Sequence, residues 1–306
     1  MPKFSIIIPC FNAQETIIAT IASIKAQSEI DWEMICVDDG STDLTRELIL
    51  PEVRNDPRIR LIENTGKGPS VARNLGTMEE ATADLIAFCD ADDQWAPYKL
   101  RELSEVFADR FVDAVYGKIG FFQSDPSDAV VFSTVPTGDL SIDMLLGENP
   151  VCTMSNITLR RRAFLKTGGF DASMVHNEDL EWLIRLVGQG ARVIGLPSLQ
   201  TWYRTSIGGL STDLAAMLAG RSRAVQTAAR FGVEPSNKSH AIHHRYLARR
   251  ALRVGGARTN ALRHALHGFA HSPVGFLTPF RRGALTLVGA AAAVVLPRSI
   301  TRALFS

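Results

Sequence analysis

The amino-acid sequence predicts an α/β fold, with a mostly parallel sheet flanked by helices, followed by a basic α-helical C-terminal region. In the first part of the chain, short β-branched runs alternate with segments of helical periodicity, which is typical of parallel strands joined by crossover helices. Charge divides the chain at Glu234, because residues 1–234 hold 22 basic and 32 acidic side chains, whereas residues 235–306 hold 11 basic and no acidic ones. The net charge of +1 is therefore the sum of −10 and +11, which indicates two regions with different partners.

The composition is that of a globular protein. Of 306 residues, 46% are apolar and 21% are charged, which excludes a disordered chain, a collagen and a coiled coil. The four cysteines lie far apart, without the spacing of a zinc site or a disulfide framework, so a reducing compartment is expected. The apolar run at the N-terminus is too short for a signal peptide and predicts a buried strand instead. A cytoplasmic protein is the expectation.

Local patterns predict each element of the first part. Asn12 stands three residues before Glu15, which is typical of a helix start, and Ile17, Ile21 and Ile24 then recur on one helical face. The expected strands are Phe4–Ile8, Met34–Val37, Ile59–Ile62, Leu85–Cys89 and, in a less regular half, Ala114–Ile119 and Val130–Val135. The further expected helices are Leu44–Leu50, Ser70–Met78 and Tyr98–Phe107, with a helix start at Trp95-Ala96-Pro97. A turn-rich run at Gly208–Asp213 then gives way to Ala/Arg-rich helical sequence and predicts a domain boundary there.

Acidic residues follow the fourth predicted strand. Ligands of parallel sheets collect beyond the carboxyl ends of the strands, and there the chain reads Asp90-Ala91-Asp92-Asp93. Three carboxylates in one small volume repel and raise one another's pKa unless a cation is present. Mg²⁺ or Mn²⁺, held by one or two carboxylates and completed by phosphate oxygens, suits such a group. The alternative is a solvated acidic turn.

A second acidic run, Asp38-Asp39-Gly40-Ser41-Thr42-Asp43, follows the second strand. Its residue types also suit a turn and a helix N-cap, which is the alternative reading. Two adjacent carboxylates exceed the needs of a cap, however, and one of them could accept a hydrogen bond from the imide N–H of uracil or thymine. Phe11, after the first strand, offers a flat apolar surface for a base.

A third acidic pair, Glu178-Asp179, precedes the apolar helix face formed by Leu180, Leu183 and Ile184. Acidic side chains at a helix N-terminus interact favourably with the helix dipole, which alone could explain the pair. The functional alternative is a general base at a pocket, with its pKa set by neighbouring charges.

Taken in order, these segments resemble glycosyltransferase family 2. The resemblance spans about residues 1–212 and leaves the rest of the chain unexplained. The segments that carry it are Phe4–Asn12, Val37–Asp43, Ala72-Arg73-Asn74-Leu75-Gly76, Phe88–Trp95, Gly168-Gly169-Phe170-Asp171 and Glu178-Asp179.

The resemblance implies a GT-A fold, a nucleotide-sugar donor, a divalent cation (Mn²⁺ or Mg²⁺) and inversion at the anomeric carbon. It also implies a catalytic domain over residues 1–212, with a nucleotide-binding half to about residue 95 and an acceptor half from about residue 96. The nucleotide-binding residues are then expected to be Pro9, Phe11, Asn12, Asp38, Asp39, Arg73 and Asp90. The metal ligands are expected among Asp90, Asp92 and Asp93, the base is Asp179 with Glu178 beside it, and Trp182 and Arg185 lie on the acceptor side. Family members often carry a His shortly after a late Tyr-Arg pair, but here Tyr203-Arg204 is followed by Thr205-Ser206.

Two other classes of function compete with this interpretation. Haloacid-dehalogenase-like phosphatases also place Asp residues after an apolar strand, with the first Asp as nucleophile. Their motif is DxDxT/V, however, whereas this chain reads Asp90-Ala91-Asp92-Asp93-Gln94. A nucleotide-sugar-fold module that tethers partners at a membrane without turnover is the non-enzymatic alternative.

Residues 213–306 are expected to form a basic helical region that associates with an anionic membrane surface. Leu262, Leu266 and Phe269 recur at helical spacing beside basic side chains, as in helices that lie on membranes. Gly283–Pro297 carries no charge but is too short to cross a bilayer, which needs about 20 residues. A helix packed on the catalytic domain or a second subunit is the alternative, and no nucleic-acid motif is present. We therefore expect an enzyme at the inner face of the cell membrane that acts on a glycan or lipid-linked glycan for exopolysaccharide, capsule or lipopolysaccharide synthesis.

Overall fold

The computed structural model describes residues 2–205, 214–254 and 258–296. The strands within these residues are β1 Phe4–Cys10, β2 Trp32–Asp38, β3 Ile59–Glu63, β4 Leu85–Phe88, β5 Gln94–Trp95, β6 Ala114–Phe122, β7 Val131–Phe132, β8 Ile157–Arg160 and β9 Val193–Arg204. The helices are α1 Ile17–Lys25, α2 Thr45–Asn55, α3 Pro69–Leu75, α4 Lys99–Val106, α5 Ile142–Gly147, α6 Arg161–Thr167, α7 Glu178–Gly188, α8 Leu214–Ala229, α9 Asn237–Val254, α10 Arg258–His271, α11 Pro273–Leu277 and α12 Phe280–Val295.

The strands form one mixed sheet in the order β3-β2-β1-β4-β8-β6-β9-β5, with β7 paired to β6. The first four strands in this order are parallel, whereas β8 runs antiparallel to both β4 and β6. β1 lies between β2 and β4, and its Ile6, Ile7 and Ile8 are fully buried, as expected for a strand covered on both faces. Helix α1 buries Ile17 and Ile21 in the same core. The predicted α/β class is confirmed.

Several elements differ from the sequence predictions because long-range contacts outweigh local pattern. Asn12 does not start a helix: its φ is +48°, its side-chain oxygen accepts a hydrogen bond from Thr42 N at 2.9 Å, and α1 begins at Ile17. The residues predicted to start a helix at Trp95 instead form β5, which pairs with β9 more than 100 residues later. Strands β8 and β9 were not predicted from the sequence.

The chain forms two compact units. Unit 1 consists of Met1–Leu140 and Pro150–Arg221, and unit 2 consists of Ser141–Asn149 and Ser222–Ser306. Unit 2 thus contains α5, a segment contributed from within the first part of the chain. The boundary predicted at residue 212 lies outside the described residues.

Unit 2 is a bundle of helices with a small-residue core. Its buried core comprises Ala241, Ala248, Leu252, Ala261, Ala265, Phe276, Ala290 and Ala293. The uncharged segment predicted at Gly283–Pro297 lies mostly in α12, which buries one face while Leu285 and Val288 on the other remain 61% and 66% exposed. No described helix is long and apolar enough to cross a membrane.

Five histidines gather between α9 and α10 in unit 2. His240 and His271 stack with ring centroids 4.8 Å apart, and the Nδ1 atoms of His244 and His264 lie 3.2 Å apart. His267 packs edge-on against His244. Burial, together with the surrounding imidazoles, lowers the pKa of His244 to about 4. The folded protein therefore favours the neutral form of His244.

We expect this cluster to make the fold sensitive to acid. Between about pH 6.5 and pH 4 the unfolded chain binds a proton at His244 that the folded chain does not. The free energy of unfolding should therefore decrease as the pH is lowered through this range, by about 1–2 kcal/mol after allowance for solvent screening. Urea unfolding of the wild type and His244→Asn at pH 7 and pH 5 measures the effect, with His176→Asn in unit 1 as the control. An unchanged pH dependence in His244→Asn would contradict it.

Candidate active site

The candidate site lies at the carboxyl edge of the parallel half of the sheet. Cys10 at the end of β1 pairs with Asp38 at the end of β2, and Ile7 pairs with Phe88 at the end of β4. The loops that follow these three neighbouring strands therefore leave the sheet at the same edge. They carry the first two predicted acidic runs and the aromatic side chain between them.

One part of this edge presents an aromatic ring beside a fixed carboxylate. Phe11 is 56% exposed, and the Nζ of Lys67 lies 5.4 Å from its ring centroid. The Asp39 carboxylate is held at both oxygens, since Asn64 Nδ2 donates to Oδ1 at 2.7 Å and the Gly68 backbone N–H donates to Oδ2 at 2.9 Å. Gly68 has a φ of +92°, a conformation that favours glycine.

The other residues predicted to bind the nucleotide here support the loops that follow β1 and β2. Asp38 is almost fully buried and is paired with Arg46 at 2.9 Å, and it also accepts a hydrogen bond from Ser41 N at 3.2 Å. Asn12 joins the loops after β1 and β2 through its hydrogen bond with Thr42. Pro9 is half-buried within β1. Asp38 and Asn12 therefore hold the backbone that presents Phe11 and Asp39.

Arg73 is the central cation of the site. Its side chain is buried, yet Nη2 lies 2.6 Å from Asp90 Oδ1 and Nη1 lies 3.7 Å from Glu178 Oε1. It thereby joins α3, the loop after β4 and the first turn of α7. The Nε and Nη1 atoms are buried and have no hydrogen-bond partner within the described residues.

The two acids at the start of α7, Glu178 and Asp179, are partly buried and lie close to each other and to Asp90. Burial, then the neighbouring Asp179, raises the pKa of Glu178 to about 7, although Arg73 opposes the rise. Burial also raises the pKa of Asp179. Both carboxyl groups are consequently better proton acceptors near neutral pH than an exposed acid would be.

The three aspartates after β4 have different environments. Asp93 is 1% exposed, and it accepts hydrogen bonds from the Arg204 backbone N–H at 2.9 Å and from Thr153 Oγ1 at 3.3 Å. Asp92 is half-buried, and no side chain within the described residues donates to its carboxylate. Burial, then the charge of Asp90, raises the pKa of Asp92 to about 6. Asp92 is thus the acid whose charge is least compensated.

This donor set suits a divalent cation that shares its coordination with a ligand. Within the described residues, no group of three or more His, Cys, Asp or Glu is arranged to hold a metal ion. Mg²⁺ and similar cations, however, are commonly held by one or two carboxylates together with phosphate oxygens. Asp92, with Asp90 beside it, offers that arrangement, whereas Asp93 is almost fully buried and its two oxygens accept hydrogen bonds from Arg204 and Thr153.

Two residues expected on the acceptor side lie elsewhere. Trp182 is fully buried in an aromatic cluster with Phe88, Phe164 and Phe170, and its Nε1 donates to Thr167 Oγ1 at 2.9 Å. Arg185 is occupied by Glu181 on the same helix and by the carbonyl of Thr167. Because neither side chain is available to a ligand, the structure does not support their expected role.

The sequence reasoning missed the residues that support the acidic loop. The carbonyl of Ser155 accepts hydrogen bonds from Lys99 Nζ at 2.7 Å, Trp95 Nε1 at 3.0 Å and Thr201 Oγ1 at 3.0 Å. Ser155 Oγ in turn accepts from the Asp90 N–H at 2.8 Å. Nothing in the sequence around Ser155 resembles a motif. Arg204, whose Nε donates to the Asp92 carbonyl at 3.0 Å, could have been found from its Tyr-Arg pair.

Comparisons with known proteins agree with this architecture. Residues 5–168 match glycosyl transferase family 2, which is more than half of the chain. WfgD of Escherichia coli, a glucosyltransferase, is 30% identical over 212 residues, covering 68% of this chain and 79% of WfgD. The amylovoran biosynthesis glycosyltransferase AmsB of Erwinia amylovora is 31% identical over 195 residues, covering 60% and 63% of the two chains.

Solved structures have the same fold. The mannosyltransferase PcManGT from Pyrobaculum calidifontis superposes with a TM-score of 0.61 at 21% identity, covering 99% of this chain and 84% of that one. S. aureus TarS 1-349 superposes with a TM-score of 0.60 at 17% identity, covering 98% and 90%. The fold and the family match define a glycosyltransferase. This chain belongs to glycosyl transferase family 2, so the expected GT-A fold is confirmed and the phosphatase alternative does not hold.

Proposed function

We propose that this protein transfers a sugar, with inversion, from a uridine-diphosphate-linked donor to a hydroxyl group of a lipid-linked glycan. The observation that carries the proposal is the bridge made by Arg73, which connects Asp90 to the helix turn bearing Glu178 and Asp179. This bridge puts Arg73 between Asp90, after β4, and the first turn of α7, and Asp39 follows β2 at the same edge of the sheet.

The nucleotide is bound by two complementary features. Phe11 stacks on the base, and the Asp39 carboxylate accepts the imide N–H of uracil, since Asn64 and Gly68 already fix its orientation. Names of similar proteins support this donor: the E. coli relative is a UDP-Glc:alpha-D-GlcNAc-diphosphoundecaprenol beta-1,3-glucosyltransferase, and TarS has been solved with UDP and UDP-GlcNAc.

The reaction is a single displacement. Asp179 accepts the proton of the acceptor hydroxyl, whose oxygen attacks the anomeric carbon from the face opposite the diphosphate. The bond between that carbon and the diphosphate oxygen breaks, and the leaving group keeps the electron pair. Arg73, whose Nε and Nη1 make no hydrogen bond within the described residues, stabilises the growing charge on the diphosphate. The raised pKa of Asp179 favours the proton transfer.

A divalent cation, Mn²⁺ or Mg²⁺, would be held by Asp92 with Asp90 beside it. When bound, it would act as a Lewis acid for the leaving diphosphate. The structure of PcManGT was solved with GDP-Man and Mn²⁺, which supports a cation in this fold. Asp93 serves instead to anchor the loop to β9 through Arg204.

We further propose that the protein works at the inner face of the cell membrane as a peripheral protein. The exposed face of α12 carries Leu285 and Val288, and the chain from residue 235 onward has 11 basic and no acidic side chains. Apolar side chains beside positive charge favour binding to an anionic bilayer. The names of the two relatives, which refer to a diphosphoundecaprenol acceptor and to amylovoran synthesis, support a lipid-linked glycan.

Thermal unfolding with nucleotides tests the donor and the cation together. UDP at about a hundred times its Kd, with Mn²⁺, should raise the free energy of unfolding by about 2.7 kcal/mol, with GDP at the same concentration giving less. Chelation by EDTA should remove most of the gain, and Asp92→Asn should not respond to Mn²⁺.

Three outcomes would contradict parts of the proposal. A larger gain with GDP than with UDP would overturn the reading of the base by Asp39. Equal gains with and without Mn²⁺ would overturn the cation at Asp92. Binding of UDP-sugars without transfer to any lipid-linked or free glycan would favour the non-enzymatic module instead.

A further inference from the structure

Unit 2 contains a cluster of arginines that the transfer reaction does not use. Arg245, Arg249 and Arg253 recur every four residues on one face of α9, and α12, which packs against α9, contributes Arg282. Side chains spaced in this way lie about 5–6 Å apart at Cβ. We call these four residues the arginine cluster.

One carboxylate connects the cluster. Glu148, next to α5, lies 3.2 Å from Arg282 Nη1 and 3.8 Å from Arg245 Nη2, both measured to its Oε2. Arg245 is buried and its Nη1 also donates to the carbonyls of Gly275, Phe276 and Thr278. Its Nε has no hydrogen-bond partner within the described residues.

The remaining charge of the cluster is uncompensated. Glu148 supplies one negative charge against four positive ones, and Arg249 and Arg253 have no hydrogen bond or ion pair with the residues that the structure describes. Burial, then the charges of Arg282 and Arg253, lowers the pKa of Arg249 to about 10. Like charges held this close repel, and a bound anion would relieve the repulsion.

We propose that the arginine cluster is a binding site for a phosphate group, with Arg249, Arg253 and Arg282 donating to its oxygens and Arg245 fixing the frame. Guanidinium groups suit this ligand because their planar donor forks match phosphate oxygens in pairs. The phosphate could belong to a lipid headgroup or be free in solution. If the phosphate belongs to a lipid, this site would help to hold the protein at the membrane, and only in that case does the proposal rest on the membrane association proposed above.

Binding measurements on the full chain test the site. The probes are inorganic phosphate, followed by calorimetry, and phosphatidylcholine vesicles with and without about 30% phosphatidic acid, followed by sedimentation at about 0.1 M salt. We expect Arg249→Gln/Arg253→Gln to weaken binding at least tenfold. The control is Arg263→Gln/Arg281→Gln, which removes the same charge from exposed positions outside the cluster and should change binding less than threefold.

Each outcome separates the sources or overturns the site. If the protein binds the vesicles but not free phosphate, and Arg249→Gln/Arg253→Gln weakens that binding, the ligand is a lipid headgroup. If it binds free phosphate but not the vesicles, with the same loss in the variant, the ligand is free phosphate. Equal losses in the two double variants would mean non-specific attraction and would overturn the proposal, as would no binding to either probe. UDP binding with Mn²⁺ should be unchanged in both double variants, so a failure of the phosphate site is distinguishable from a failure of the proposed transfer reaction.

Discussion

Asp179→Asn is expected to lower kcat by about 10²–10⁴-fold with little change in KM, because a general base typically contributes that factor to the chemical step. The variant keeps the size of the side chain and its place in the first turn of α7. In the wild type, kcat/KM should rise with pH through the raised pKa of Asp179. The variant should lose this rise. Initial rates of sugar transfer over about pH 5–8 measure both effects.

Glu178→Gln is the matched control, since it removes an acid one residue away from Asp179. Glu178 lies 3.7 Å from Arg73, so its replacement should change the electrostatics of the site without removing the base. A loss below about tenfold is expected. If Glu178→Gln were the more damaging of the two variants, the role of base would pass to Glu178.

Arg73→Met is expected to destabilise the fold by about 3–5 kcal/mol, because removal of one partner of a buried ion pair leaves the other charges uncompensated. Asp90 and Glu178 would then face each other without a cation. Urea unfolding at pH 8 measures the loss. Arg73→Lys, which keeps the charge but not the planar fork, should lose less.

The pH dependence of Arg73→Met provides an independent check. Without the guanidinium, the pKa of Glu178 should rise above its wild-type value of about 7. A carboxyl whose pKa is higher in the folded than in the unfolded state binds more protons when folded, so the variant should recover stability as the pH falls from 8 to about 5. The double variant Arg73→Met/Glu178→Gln should recover part of the loss at pH 8. A loss below about 1 kcal/mol, or one independent of pH, would contradict this assignment of charges.

The elements that could be predicted from the sequence are those marked by the spacing of apolar and acidic residues along the chain. The Ile run of β1 and the apolar face of α1 follow from periodicity, and the acidic runs after β2 and β4 follow from the rule that ligands collect at the carboxyl ends of parallel strands. The role proposed for Arg73 could also be anticipated, although only from the family resemblance. Local physics alone gives no reason for an Arg at that position.

The remainder depends on contacts distant in sequence. Thr153 and Ser155 support the acidic loop from about 60 residues away, and no spacing rule links them to it. Trp182 illustrates the opposite error, because it was expected on the acceptor side of the site but is fully buried. Its actual neighbours, Phe88, Phe164 and Phe170, come from three other segments that meet only in the folded core.

The passage of the chain through unit 2 has a consequence for synthesis. Segment Ser141–Asn149, which carries α5, leaves the ribosome about 90 residues before its partner α9. At about 5–20 residues per second, α5 therefore waits about 5–20 s for the helix that it packs against. During that interval, in which β8 and β9 are also synthesised, α5 leaves the apolar side chains of Leu145 and Leu146 exposed, and this is where a chaperone would be expected to act on the nascent chain.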